Sequence, residues 1–319
     1  MSESSGWQDL DSALGDEYLL SREVPQPAGF TVFAARSKHD GSEVEIKTVP
    51  ASIFPAGPTI KESDVAARRL QHPNIVPVAS AGIAGDTFYW ICPAIDGRPL
   101  RARLSRGGRI ELRDSLTILR DVSAALTHAH LHGVVHGGLS PDSVIISGGS
   151  GLVTDLGIPE VFSALRRSGA TGALPYPASV EPLRYSSPEE WNGVTADARS
   201  DVYAWGVIAY ELLGGRHPFA GRSTPREMIA AHSDEEPQQL SSGPTSVPGG
   251  VTRLVMRTLS KDPSKRPESA REILAVLTKE MLVPPPAPAA GTGQKAVITM
   301  MILAVAVLAV IAWLGMTGP

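Results

Sequence analysis

Residues 136–146 read HGGLSPDSVII, and TDLG follows at 154–157. Between these two segments lies SGGSG, residues 147–151, which has the composition of a phosphate-binding loop. Short apolar runs flank these five residues, and glycine-rich segments between two short strands commonly form hairpin turns. We therefore predict a hairpin at 147–151, and we look for the chemistry of the region in the segments on either side of it.

Further short motifs lie on both sides of this stretch. In chain order they are VEIK at 44–47, Glu62, HPNIV at 72–76, SPE at 187–189, DVYAWG at 201–206 and KDPSKRP at 261–267. In order and spacing these motifs resemble those of the bacterial serine/threonine protein kinases, with 136–146 in the place of the catalytic loop and 154–157 in that of the metal-binding motif. The resemblance covers about residues 18–282.

The resemblance implies an α+β fold with two lobes, a small β-rich lobe at about 18–94 and a larger α-helical lobe at about 95–282. Hydrophobic periodicity favours the same division. The predicted elements are strands at 43–49 and 88–92, a short helix near 60–70, an amphipathic helix at 115–131 and a fully buried helix at 202–213.

The resemblance also assigns a nucleotide site. Kinases of this family hold the phosphates with a lysine that pairs with a glutamate, here Lys47 and Glu62, and a metal ion with an aspartate, here Asp155. Asp155 alone is a weak metal site, because magnesium requires nearly octahedral oxygen ligation. For Lys47 and Glu62 we favour a structural role.

The catalytic loop departs from the family. The base that accepts the proton of the substrate hydroxyl falls on Gly138, the lysine that steadies the transferred phosphate on Ser140, and the second metal ligand on Ser143. Glycine has no group that accepts a proton, so we expect no catalytic residue at these degenerate positions. Asp142 is the nearest carboxylate and remains an alternative base.

The loop that covers the phosphates in the family is glycine-rich, and this sequence departs from that pattern as well. The three glycines of that loop fall on Pro25, Pro27 and Phe30, and proline offers neither an N–H donor nor a flexible backbone. A shift of one residue places Gly29 there instead. Glu45 falls where the family has the alanine that covers the adenine ring. Its charge is expected to repel phosphates unless the side chain turns outward.

The positions that the family uses for architecture keep their residue types. They are His136, Glu189, Asp201 and Arg266. The resemblance implies that the aspartate holds the catalytic-loop backbone and that the glutamate and arginine form a buried ion pair. The catalytic-loop arginine that binds an activating phosphate is Gly137 here. Arg166 and Arg167 lie in the activation segment, and such a pair is typical of a solvated surface.

Composition excludes some other functions. The net charge is −4 and no run of basic residues occurs, which argues against nucleic-acid binding. The single cysteine, Cys92, forms neither an internal disulfide nor a multi-cysteine zinc site and fits a reducing compartment. Residues 1–17 are polar, and we expect no signal peptide there.

The last part of the sequence predicts a membrane anchor. Residues 296–316 read AVITMMILAVAVLAVIAWLGM and contain no charge, which is typical of a membrane-spanning helix. A buried core helix is the alternative. The proline-rich segment 283–295 is predicted to be an extended linker. Lys295 before the span favours a single-pass protein of the cell membrane with its kinase-like domain in the cytoplasm.

These residues lead to one expected function and two alternatives. We expect a membrane-anchored pseudokinase that acts as a signalling scaffold or allosteric partner, with the lipid bilayer and other signalling proteins as partners and no cofactor. The first alternative is an atypical active serine/threonine kinase that uses ATP, magnesium, Lys47 and Asp155. The second is a module that senses nucleotides without catalysis.

Overall fold

The computed structural model describes residues 4–24, 30–54, 70–105, 110–171, 183–240 and 247–282. The chain forms one unit over Met1–Glu280 and a second over Met281–Pro319. Pro25, Pro27, Gly29 and Glu62 lie outside the described residues, as do the predicted linker 283–295 and span 296–316. None of the helices within the described ranges is both long and apolar enough to cross a bilayer.

The small lobe is an antiparallel sheet with one helix against it. Its elements are α1 (Ser4–Leu14), β1 (Tyr18–Val24), β2 (Thr31–Ser37), β3 (Glu43–Pro50), β4 (Ser80–Ala84) and β5 (Thr87–Pro93). The strand order is β1-β2-β3-β5-β4. The predicted strands at 43–49 and 88–92 are confirmed as β3 and β5, and their pairing sets Lys47 opposite Trp90.

Helix α1 extends the core of this lobe. Its apolar residues recur at helical spacing, and Leu10 and Leu14 are buried in one cluster with Val44 and Ile46 of β3. The ring of Trp7 meets Phe33 edge to face at 5.5 Å. Residues 1–17, which the composition indicates only as polar, therefore contain a helix whose apolar face packs on the sheet.

The larger lobe is mainly helical. It contains β6 (Arg98–Pro99), α2 (Leu100–Leu104), α3 (Leu112–Leu131), β7 (Val144–Ser147), β8 (Ser150–Val153), α4 (Pro159–Thr171), α5 (Pro188–Trp191), α6 (Ala198–Gly214), α7 (Pro225–Asp234), α8 (Gly249–Thr258) and α9 (Ala270–Leu282). The two-lobed fold predicted from the sequence is confirmed over the described residues.

Helix α6 is the centre of this lobe, as the apolar run at 202–213 predicts. Trp205 is fully buried and its indole N–H donates to the carbonyl of Leu119 in α3 at 3.1 Å. Gly206 permits close contact with α8, because a β-carbon there would lie 2.0 Å from Oγ1 of Thr258. The buried helix therefore packs against both α3 and α8.

A small sheet, β6-β7-β8, positions residues 136–143, which precede β7, and residues 154–157, which follow β8. Strands β7 and β8 pair across Gly148 and Gly149, so the predicted hairpin at 147–151 is confirmed. The loop before β7 and the residues after β8 meet at the mouth of the cleft between the lobes.

Candidate functional site

Asp201 of α6 holds the backbone of the catalytic loop. Its carboxylate accepts hydrogen bonds from the backbone N–H groups of His136 and Gly137, each at 2.9 Å, and contacts Nε2 of His130 at 2.8 Å. Burial alone would raise the pKa of Asp201, but these bonds outweigh it and the pKa is lowered. The loop is thus anchored by a buried, ionised carboxylate.

Glu189 and Arg266 form a second anchor. The guanidinium of Arg266 donates to both carboxylate oxygens of Glu189, at 2.7 and 2.8 Å, and also to backbone carbonyls. Burial favours a higher pKa for Glu189, yet the bonds from Arg266 lower it overall. This pair ties α5 to the segment that precedes α9.

In the cleft, Lys47 pairs with Asp155. The ammonium nitrogen lies 2.9 and 2.8 Å from the two carboxylate oxygens, and both side chains are buried. The indole N–H of Trp90 donates to the same carboxylate at 2.8 Å. Burial opposes the charge on Lys47, but Asp155 raises its pKa to about 12. Asp155 has a left-handed φ of 63°, which places its carboxylate among these donors.

The cleft around this pair is lined by bulky and acidic side chains. Phe30, on one of the glycine-loop positions, meets the Trp90 ring at 5.5 Å, and Nζ of Lys47 lies 5.8 Å from the Phe30 ring centroid. Glu45 is two residues from Lys47 on β3 and therefore lies on the same face of the strand. Its partner on β5 is Cys92, whose thiol pKa burial raises to about 12.

The space beside Gly138 is filled by a side chain of α4. A β-carbon on Gly138 would lie 2.0 to 2.4 Å from ring carbons of Phe162, in α4. The same ring packs on His136, with centroids 5.4 Å apart. Gly137 has a φ of 65°, and a β-carbon there would meet Pro159 at 2.7 Å. The two glycines are therefore what allows α4 to lie directly on the catalytic loop.

Arg166 fastens α4 in this position. Its guanidinium donates to the carbonyl of Gly137 at 2.6 Å and forms a buried ion pair with Glu190. The prediction that Arg166 and Arg167 are both solvated is wrong for Arg166, which is buried because it packs against the loop. It is confirmed for Arg167, which is exposed. The cavity left between Gly138, Phe162 and the loop measures about 50 Å³.

The remaining catalytic-loop positions bond to one another. The backbone N–H of Ser140 donates to Oγ of Ser143 at 3.0 Å, and this hydroxyl donates to the Ser140 carbonyl at 3.0 Å. Asp142 accepts two bonds from Arg101, at 3.2 and 3.1 Å. The alternative base is thus already held in an ion pair.

The donor set does not fit a pair of magnesium ions. The two oxygens of Asp155 are engaged by Lys47 and Trp90, and the hydroxyl of Ser143 donates to the Ser140 carbonyl. Magnesium requires several oxygen ligands in octahedral geometry. Without rearrangement of these bonds, the site offers no such set.

The sequence profile of the protein kinase domain matches residues 28–277. The chain belongs to the protein kinase domain family. Among similar proteins, the serine/threonine-protein kinase PrkC of Bacillus subtilis is 31% identical over 210 residues, which cover 66% of this chain and 31% of PrkC.

Two further kinases of this family show the same level of similarity. PknB of Mycolicibacterium smegmatis is 34% identical over 218 residues, which cover 67% of this chain and 34% of PknB. PknA of Mycobacterium tuberculosis is 31% identical over 263 residues, which cover 79% of this chain and 58% of PknA. The chain therefore spans about a third of PrkC and PknB, and over half of PknA.

The sequence motifs do not indicate Trp90, Arg101 or Phe162, and they indicate Arg166 only as a solvated residue. All four occupy the site through tertiary contacts. Only the double glycine at 137–138 signals that something bulky approaches the loop, and it does not identify what approaches.

Proposed function

We propose that this chain is a pseudokinase, a protein-kinase domain that acts as a signalling scaffold or allosteric partner and transfers no phosphate. One observation carries the proposal, namely the ring of Phe162 where a side chain at position 138 would begin. A substrate hydroxyl reacts only when a base lies within hydrogen-bond reach of it. Here that place holds an apolar ring, and the carboxylate of the alternative base, Asp142, is paired with Arg101.

The nucleotide end of the cleft supports the same proposal. Lys47 and Asp155 neutralise each other in a buried pair, and Glu45 brings a further negative charge onto the face that the phosphates would approach. We therefore propose that neither ATP nor magnesium serves as a cofactor of this domain.

The membrane part of the proposal rests on composition. Residues 296–316 carry no charge and are long enough for a bilayer, and the preceding residues 283–295 have the proline-rich composition of a linker. We place the domain on the cytoplasmic side of the cell membrane, with lipid and other signalling proteins as partners and no nucleic acid.

An atypical active kinase is the second candidate. The observation in its favour is that Lys47 and Asp155 lie together in the cleft, as a kinase requires. The similar proteins are named serine/threonine-protein kinases. In this alternative α4 leaves the loop, and Asp142 or water accepts the proton.

A phosphotransfer assay separates these two candidates. The full chain is incubated with labelled ATP, with magnesium or manganese, alone and with a basic protein substrate. Lys47→Ala and Asp155→Ala serve as controls for a contaminating kinase. We expect no incorporation above that of either variant. Turnover that both substitutions abolish contradicts the pseudokinase proposal.

Nucleotide sensing without catalysis is the third candidate, and thermal denaturation tests it. A ligand at 100 times its Kd stabilises a protein by about 2.7 kcal/mol. We expect no change in Tm with saturating ATP or ADP and either metal. A rise that Lys47→Ala removes would support the sensing module.

A further inference from the structure

Helix α3 ends in a histidine cluster that the kinase motifs do not use. His128 and His132 lie one helical turn apart, and their ring centroids are separated by 4.4 Å. His72 also stacks on His128, with a centroid distance of 5.1 Å. His132 is exposed and the other two are partly buried, so the cluster lies at the surface.

Hydrogen bonds settle which nitrogens of two of these rings carry protons. Nδ1 of His132 lies 2.8 Å from the carbonyl oxygen of His128. A carbonyl only accepts, so Nδ1 carries the proton and Nε2 presents a lone pair. Metal-bound histidines use this same arrangement, in which the second nitrogen donates to a backbone carbonyl or a carboxylate.

His72 has the opposite arrangement. The backbone N–H of Asn74 donates to its Nδ1 at 3.1 Å. A nitrogen that accepts a hydrogen bond carries no proton, so the ring proton of His72 lies on Nε2. His72 therefore packs against the pair and offers it no lone pair.

His128 supplies a second sign of a ligand site. Its Nε2 atom is buried and finds no hydrogen-bond partner among the residues that the structure describes. Buried polar nitrogens are nearly always satisfied, and an unsatisfied one often marks the place of a water or an ion. Residues four apart on a helix share one face, the spacing that helical metal sites use for two histidines.

We propose that His128 and His132 form a two-histidine chelate for a divalent transition-metal ion such as Zn²⁺ or Cu²⁺. Imidazole nitrogen is a preferred ligand of these ions. No group of three or more His, Cys, Asp and Glu side chains is arranged to hold a metal within the described ranges. The pair therefore supplies two ligands, and water or a partner molecule supplies the others.

Zn²⁺ titration of the full chain in detergent micelles, against a chromophoric competitor, tests this site. We expect one Zn²⁺ per chain and a loss of affinity of about tenfold or more in His132→Ala. His39→Ala is the matched control, because His39 is exposed on the turn between β2 and β3, away from the cluster. Its affinity should equal that of the wild type. With Cu²⁺, electron paramagnetic resonance should detect two nitrogen ligands, and one fewer in His132→Ala.

Three results overturn the proposal. They are an absence of Zn²⁺ binding at millimolar concentration, equal affinity in His132→Ala and the wild type, and a loss in His72→Ala as large as that in His132→Ala. Because His132 is exposed, its replacement leaves the core intact, and circular dichroism of each variant verifies this. The test does not depend on whether the domain transfers phosphate.

Discussion

Gly138 lies on the loop at 136–146, in the place where we predicted a missing base, and the Phe162 ring lies where its β-carbon would be. The two features depend on each other, because any larger residue at 138 displaces the ring and any smaller residue at 162 leaves a cavity beside the loop. The change at this position is therefore a packing change as well as a chemical one.

Gly138→Asp is expected to restore no phosphotransfer and to lower the free energy of unfolding by about 1–3 kcal/mol, the usual cost of overpacking. In the presence of Phe162→Ala, Gly138→Asp should lower the free energy of unfolding by less than it does alone. A double-mutant cycle measured by urea unfolding should therefore give a non-zero interaction energy between the two changes. Gly249→Ala is the control, since a β-carbon there meets only Arg253 at 3.4 Å. Strict additivity of the two changes would show that the ring does not occupy this place.

The Lys47–Asp155 pair leads to a second prediction at this scale. Lys47→Ala leaves a buried carboxylate without its cation and should cost about 3–5 kcal/mol. The double variant Lys47→Met/Asp155→Leu should cost less than Lys47→Ala alone, because it leaves no buried charge. Arg36→Ala breaks an exposed ion pair with Glu43 and should cost less than about 1 kcal/mol. Chemical denaturation measures all three, and equal costs for Lys47→Ala and Arg36→Ala contradict the burial of the pair.

At the scale of elements, α4 is the helix that packs on the loop at 136–146. It lies in the activation segment, packs Phe162 on the loop and sends Arg166 to the Gly137 carbonyl. Hydrogen bonds of a charged donor contribute about 1.5–3 kcal/mol. Arg166 therefore controls how firmly α4 is held.

Arg166→Ala should raise hydrogen exchange in residues 159–171 roughly tenfold to a hundredfold, because it removes these bonds and leaves Glu190 buried without its cation. Mass spectrometry of peptides from α4 provides the measurement. Arg167→Ala is the matched control, since this neighbouring arginine is exposed and bonds to Ser163. Equal exchange in the two variants would mean that Arg166 does not hold the helix.

The anchor between α5 and the segment before α9 predicts a pH dependence. The pKa of Glu189 is lowered from its ordinary value of 4.5 on folding. Its contribution is therefore present above pH 4.5 and is lost as the pH falls through the folded pKa. Glu189→Gln should be less stable than the wild type at pH 7, and the difference should shrink below pH 4.5. Glu43→Gln, which breaks an exposed ion pair, should change the free energy of unfolding far less across this pH range. If the stability difference between Glu189→Gln and the wild type does not change with pH, the mechanism is contradicted.

For the whole molecule, the sequence predicts the architecture better than the site. Helices α3 and α6 are predicted from hydrophobic periodicity, because the pattern of a core face is local in the sequence. The kinase domain is predicted from the order of the motifs, because anchors such as Asp201 belong to motifs that the family shares. Two contacts of the site join residues that are distant in sequence, namely Phe162 with Gly138 and Trp90 with Asp155. A local sequence pattern therefore does not predict them. A missing side chain is visible in a sequence, whereas the group that takes its place is not.

The membrane anchor is the remaining prediction for the whole molecule. A helix over residues 296–316 is about 30 Å long, which matches the hydrocarbon core of a bilayer. A chain that stops at Lys295 should therefore move from the membrane fraction to the soluble fraction, whereas a chain that stops at Met316 keeps the apolar segment and should stay with the membrane. Carbonate washing before fractionation separates insertion from surface adhesion. If the chain that stops at Lys295 still sediments with washed membranes, residues 296–316 are not the anchor, and the attachment lies in the kinase domain or its partners.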